Sequence, residues 1–166
     1  MNRQEALAAL KGKDSTKIIE GLTFVREQGD NELLELALIV FRDTNDNDIK
    51  SEVINLINDL RNKDCKPVII KALTDDSFSA VCKYIISSCW QNSIDFSDNI
   101  MLFIDMFATC DFETGIEIFS VVDDSFDEIS ADERDRISEK LNNMLPGISD
   151  SNKRSLLVEL QKLIKE

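Results

Sequence analysis

Apolar residues along this chain recur every three to four positions, in stretches broken by short polar turns, and strict alternation is almost absent. That spacing predicts helices throughout. A short one covers 4–11. A second runs over 14–28 with Asp14 as N-cap, Ile18, Leu22 and Val25 on one stripe, and Gly29 as its stop. A third covers 31–42 with Leu34, Ala37, Leu38 and Phe41 inward. Asp48 is expected to cap the next, whose stripe is Ile49, Val53, Ile54, Ile57 and Leu60. Its partner covers 65–73, with Pro67 in the first turn, where the missing N–H is no loss. Further helices follow over 78–90 (Val81, Cys82, Ile85, Cys89), 97–109 (Ile100, Phe103, Ile104, Phe107) and 112–122 (Phe112, Ile116, Phe119). Ser130-Ala131-Asp132-Glu133 is a capping box opening a helix with Ile137, Leu141 and Met144. Leu145-Pro146-Gly147 breaks it, and a last helix over 151–165 carries Leu156, Leu157, Leu160 and Leu163.

One hairpin pattern repeats. Ile49, Phe78 and Phe112 each follow an Asp/Asn/Thr/Ser-rich turn and precede an apolar residue four places on: Val53, Cys82 and Ile116. Ile18 with Leu22 is a fourth instance. The steps from 18 to 49, 78 and 112 are 31, 29 and 34 residues, a period that fits stacked two-helix units. Such units bury their apolar faces only against neighbours, so the expected fold is all-α, a short α-solenoid of about four hairpins plus end helices. The final helix echoes the pattern, since Leu156, Leu157 and Leu160 follow Asn152-Lys153 as Val53, Ile54 and Ile57 follow Ile49-Lys50. No linker or low-complexity tract interrupts the chain, so 1–166 reads as one domain.

The stretch Leu73-Thr74-Asp75-Asp76-Ser77-Phe78, and Asp46-Asn47-Asp48-Ile49-Lys50 with Val53 beyond it, resemble the turn and second-helix start of bacterial HEAT-like repeats. The resemblance extends over 14–144. It departs from the family pattern where the basic residue after the aliphatic one is replaced by Ser79 or Glu113. It implies a protein-binding scaffold, and the lyases and DNA glycosylases built on such repeats supply the alternative reading.

Charge changes the picture more than composition does. The net charge is −13, and residues 93–135 hold 13 acidic and 1 basic side chains, so −12 of it lies in one quarter of the chain. No Lys or Arg occurs between Lys83 and Arg134. Such a surface repels phosphate backbones and anionic membranes, which excludes nucleic acid and lipid headgroups as expected partners. The longest apolar run, Leu36 to Phe41, is far short of a membrane span, and Ala6 to Leu10 is too short for a secretory signal. The chain reads as cytoplasmic.

Candidate chemistry is sparse. With no histidine, a Ser-His-Asp or Cys-His arrangement is impossible and the commonest general base is missing. The four cysteines form no CxxC pair. Cys82 and Cys89 would stand about 10.5 Å apart along a helix, beyond disulfide reach, so all four read as buried reduced thiols. Residues 43–48 match the first ligands of a calcium loop, but Asp48 and Ile54 stand where the turn glycine and bidentate glutamate belong. No catalytic residue, cofactor or metal is therefore expected. Six of the nine phenylalanines fall in the acidic quarter. Most sit on core stripes. The expected docking surface is an apolar groove rimmed by Asp98, Asp105, Glu113 and Glu117, with Phe96 and Phe126 exposed and Trp90 at a helix end nearby in sequence. Its expected occupant is a basic protein or peptide. The alternatives are an enzyme of the lyase or glycosylase kind and a structural assembly subunit.

Overall fold

The computed structural model describes residues 1–28 and 30–165, so the expected stop at Gly29 lies outside them. The protein is all-helical, 79% helix, with no strand among the described residues. Among the described residues ten α-helices follow in order: α1 Arg3–Leu10, α2 Ser15–Gln28, α3 Asn31–Asp43, α4 Asn47–Asn58, α5 Lys66–Leu73, α6 Cys82–Gln91, α7 Ile100–Thr109, α8 Phe112–Asp124, α9 Ala131–Met144 and α10 Ser151–Leu163. These match the predicted segments to within two residues at each end, apart from the later starts of α6 and α7. Phe78 and Ser97 fall in tight 3-10 turns, Asp76–Phe78 and Ser97–Asn99, that precede α6 and α7. The cap of α4 is Asp46 rather than Asp48, its carboxylate accepting from the N–H of Asp48 and Ile49.

The described chain forms two compact units, Met1–Ile94 and Asp95–Glu166. In the first, α1 pairs with α2, α3 with α4 and α5 with α6. Helices two apart also touch: α1 with α3 and α3 with α5, α2 with α4 and α4 with α6. The second unit repeats the scheme, with pairs α7–α8 and α9–α10 and contacts α7–α9 and α8–α10.

The even-numbered helices share one buried register. An anchor residue is followed by inward residues four and seven places on: Ile18, Leu22, Val25; Ile49, Val53, Leu56; Val81, Ile85, Ser88; Thr114, Ile118, Val121; Lys153, Leu157, Leu160. All are buried except the half-buried Thr114. The steps from 18 to 49, 81, 114 and 153 are 31, 32, 33 and 39 residues. This corrects the expected anchors Phe78 and Phe112, which stand one turn or less ahead of Val81 and Thr114. A large aromatic residue in the turn (Phe78) or at the helix start (Phe112) drew the sequence pattern forward. Aspartates fill the turns for a local reason. Asp14, Asp46, Asp111 and Asp150 each accept backbone N–H bonds from the first turn of the following even helix, satisfying donors that have no partner within it.

Polar links in the first unit also join helices two apart. Arg3 pairs with Asp30 and Glu32, Arg26 with Glu52 at 2.8 Å, and Lys71 with Glu35. Asn58 Nδ2 donates to Gln91 Oε1 at 3.2 Å, and Arg42 Nη1 donates to Ser77 Oγ at 3.1 Å while its guanidinium lies 5.2 Å over the Phe78 ring. The Arg3 guanidinium holds the Asp30 carboxyl below the usual carboxylate range.

Candidate functional site

The acidic quarter falls on α7, α8 and the turns around them, in the second unit. Helix α7 has a single charged residue, Asp105, and sends Ile100, Phe103, Ile104 and Phe107 fully inward. Phe96, expected to be exposed, joins that core. It is 1% exposed and meets Phe103 edge-on at 6.1 Å. The reason is local. Asp95 accepts the Ser97 N–H at 2.8 Å, and the tight turn that follows folds the Phe96 ring beneath α7. A 100°-per-residue projection cannot place a side chain that lies outside the helix.

Helix α8 presents the opposite face to the one expected. Gly115, Ile118, Val121 and Val122 are buried, Phe112 and Phe119 are half-buried, and Ile116 is 42% exposed. Both faces are apolar, so packing decides. A Cβ built on Gly115 would stand 3.2 Å from Leu156 and 3.2 Å from Phe107, so the glycine lets α7 and α10 close onto this side. Phe112, Ile116 and Phe119 are too large for that approach and take the outer side. Ile116 therefore lies on an outward stripe with Phe112 and Phe119 beside it. Sequence reasoning missed Ile116 as a surface residue, and Gly115 in the middle of a helix was the available signal.

The four residues of the expected rim all belong to the second unit. Asp105 is ion-paired with Lys140 of α9. Asp98 and Glu113 are exposed, and Glu117 is half-buried. Phe126 is half-buried rather than exposed. The Arg134 guanidinium covers its ring at 3.6 Å and donates to the carbonyls of Phe126 and Ile129 at 2.9 and 3.1 Å. The one basic residue of the acidic quarter is thus used to pin the turn between α8 and α9. Trp90 belongs to the first unit, 39% exposed in the last turn of α6, and Tyr84 on the same helix is 45% exposed.

Beyond the rim, Asp123, Asp124, Asp127 and Glu128 are exposed at the C-terminal end of α8, and none has an ion-pair partner among the described residues. The last turn of α8 carries no basic residue, so these charges add to the negative end of the helix dipole. Partial burial, then Asp123 and Asp95, push the Asp124 carboxyl above the usual carboxylate range.

A buried cation was also missed. Lys153 takes the anchor place in α10 that isoleucine holds in α2 and α4, and is 8% exposed. Its ammonium donates to the carbonyls of Ala108 and Cys110 at 3.2 and 2.5 Å and lies 5.5 Å from the Phe107 ring centre. It closes the C-terminal end of α7, where unpaired carbonyls and the helix dipole favour a cation. A cavity of about 330 Å³ opens beside it, lined by Cys110, Asp111, Gly147 and Asp150 among others. The cation that such carbonyls attract is already supplied by the chain.

Cys65 and Cys89 are buried, Cys82 and Cys110 half-buried, and all four are free thiols. Burial raises the Cys65, Cys89 and Cys110 thiols, and at Cys110 the Lys153 ammonium offsets only part of that rise, so the reactive thiolate is disfavoured. Among the described residues no three His, Cys, Asp or Glu side chains converge as a metal set. In the calcium-like loop Asp43 pairs with Arg42, and Asp46 is engaged by Ser15 and its own helix start. An open groove of about 670 Å³ lies between α1 and the start of α2, lined by Glu5, Ala8, Lys13, Lys17 and Glu20 among others, and has mixed charge and no focused chemistry.

No protein-family model, curated protein or solved structure matches this chain. No helix among the described residues is long and apolar enough to cross a membrane.

Proposed function

We propose that this protein is a non-catalytic interaction scaffold, a short α-solenoid of HEAT-like hairpins that docks a basic amphipathic helix of a partner protein on the outer stripe of α8. The carrying observation is Ile116, a large aliphatic residue 42% exposed between half-buried Phe112 and Phe119 in the most acidic part of the chain. Support for the solenoid reading comes from the recurring anchor register and from the contacts and polar links between helices two apart. Support for a basic partner comes from charge. With 13 acidic and 1 basic residues over 93–135, the field around α8 favours a cation-rich ligand and raises its encounter rate. The apolar stripe then holds what the field has steered, in the manner of helix-in-groove recognition.

A dye-labelled, lysine-rich amphipathic helical peptide tests the reading by fluorescence anisotropy. The expected result is saturable binding that weakens from low to physiological salt and falls about thirty-fold in Ile116→Asp, the loss of one ~2 kcal/mol anchor. The melting temperature of Ile116→Asp should fall only modestly, because the side chain is 42% exposed. Binding indifferent to Ile116→Asp would remove α8 from the account.

A further inference from the structure

The charge along the α8 face is uneven, and that unevenness carries direction. The apolar stripe of Phe112, Ile116 and Phe119 occupies the first two turns, while Asp123, Asp124, Asp127 and Glu128 gather at and just past the last turn. These four have no ion-pair partner among the described residues, whereas Asp105 is neutralised by Lys140 and Asp111 caps the helix start. The negative end of the α8 dipole lies at the same place, with no basic side chain in its last turn. Attraction for a cation is therefore greatest about 10 Å along the helix from Ile116, counting seven residues at 1.5 Å each to Asp123.

Resting on the proposed docking reading, we infer that the partner helix binds antiparallel to α8. Its apolar stripe would cover Phe112, Ile116 and Phe119, and its N-terminal end, carrying lysines or arginines about two turns before the apolar anchors, would lie over Asp123, Asp124, Asp127 and Glu128. Two effects favour this polarity over the reverse. The positive end of the partner's dipole meets the negative end of the α8 dipole. The partner's basic side chains meet the acidic group that has no internal partner. The opposite polarity sets those lysines at the start of α8, where Asp111 and Glu113 supply two carboxylates against four at the other end, Asp111 also accepts the Thr114 N–H at 2.8 Å, and the helix dipole is positive. A basic residue set early in a helix is locally unfavourable, so free partner segments of this kind should be only partly helical and should gain helix on binding.

Two synthetic peptides of identical composition decide it. Each has the same central apolar stripe, with four lysines at the N-terminal end in one and at the C-terminal end in the other. Anisotropy titrations are run against wild type, against Asp123→Asn/Asp124→Asn/Asp127→Asn/Glu128→Gln, and against Ile116→Asp. The expected result is about tenfold tighter binding of the N-terminal lysine peptide. That preference should shrink markedly in the quadruple variant, which keeps only the dipole contribution, while both peptides lose affinity in Ile116→Asp. Equal binding, or preference for the C-terminal lysine peptide, with Ile116→Asp still disruptive, would overturn the polarity and leave the docking face standing. Binding of both peptides unaffected by Ile116→Asp would overturn the face itself, and the polarity with it.

Discussion

Phe96 separates a core role from a surface role more sharply than any other residue. Its ring is 1% exposed and packs edge-on against Phe103 at 6.1 Å, itself fully buried. Phe96→Ala removes a buried aromatic side chain and leaves a cavity that the turn at Ser97–Asn99 can only partly close. The expected cost is about 3–5 kcal/mol, including an edge-to-face contribution of roughly 0.5–1.5 kcal/mol. At about 2–4 °C per kcal/mol for a chain of this size, the melting temperature should fall by roughly 6–20 °C. Urea denaturation followed by far-UV circular dichroism gives the free energy, with an unchanged m-value confirming that the variant unfolds from the same structure. Phe126→Ala is the internal control. That ring is half-buried beneath the Arg134 guanidinium, and its removal should cost clearly less. A loss below about 1 kcal/mol for Phe96→Ala, accompanied by weaker peptide binding, would refute the reasoning and return Phe96 to the surface.

Replacing Lys153 by Met strips the ammonium from the carbonyls of Ala108 and Cys110 and should cost about 1–3 kcal/mol in the same denaturation assay, despite the gain in apolarity. Asp124→Asn should raise the melting temperature at neutral pH by about 1–4 °C, from relief of a like charge at the end of α8. The sign follows from its raised pKa: the folded state binds the Asp124 proton more tightly than the unfolded one, so stability is lost as pH rises through the folded pKa. The Asn variant's advantage should therefore vanish when melting is measured below the ordinary carboxylate range. Calcium titration should reveal no stoichiometric micromolar site, because Asp43 and Asp46 are engaged by Arg42, Ser15 and the start of α4; a saturable isotherm abolished by Asp43→Ala would contradict this.

Helix identity was legible in the sequence because apolar spacing and cap residues report local physics. The stripes Ile18/Leu22/Val25 and Ile100/Phe103/Ile104/Phe107 are buried as projected. The surface around α8 was not legible, for three separate reasons. Phe96 lies in a turn, where helical projection has no meaning. Helix α8 is apolar on two sides, and the choice between them rests on how closely Phe107 and Leu156 approach Gly115, a tertiary fact. Lys153 reads as one charge among several on a terminal helix, yet it fills an anchor place because two carbonyls await it at the end of α7. In the last two cases a glycine or a charged residue at a core register, rather than another large apolar one, held the information.

Chemical-shift mapping tests the docking claim most directly. The ¹⁵N-labelled protein is titrated with an unlabelled lysine-rich amphipathic helical peptide, and amide shifts are followed to saturation. The largest changes should cluster along Phe112–Asp124 and the turn that follows, centred on Ile116, and should be absent in Ile116→Asp. No saturable shifts, or changes centred instead on Tyr84 and Trp90 in α6, would contradict the assignment of the docking surface to α8.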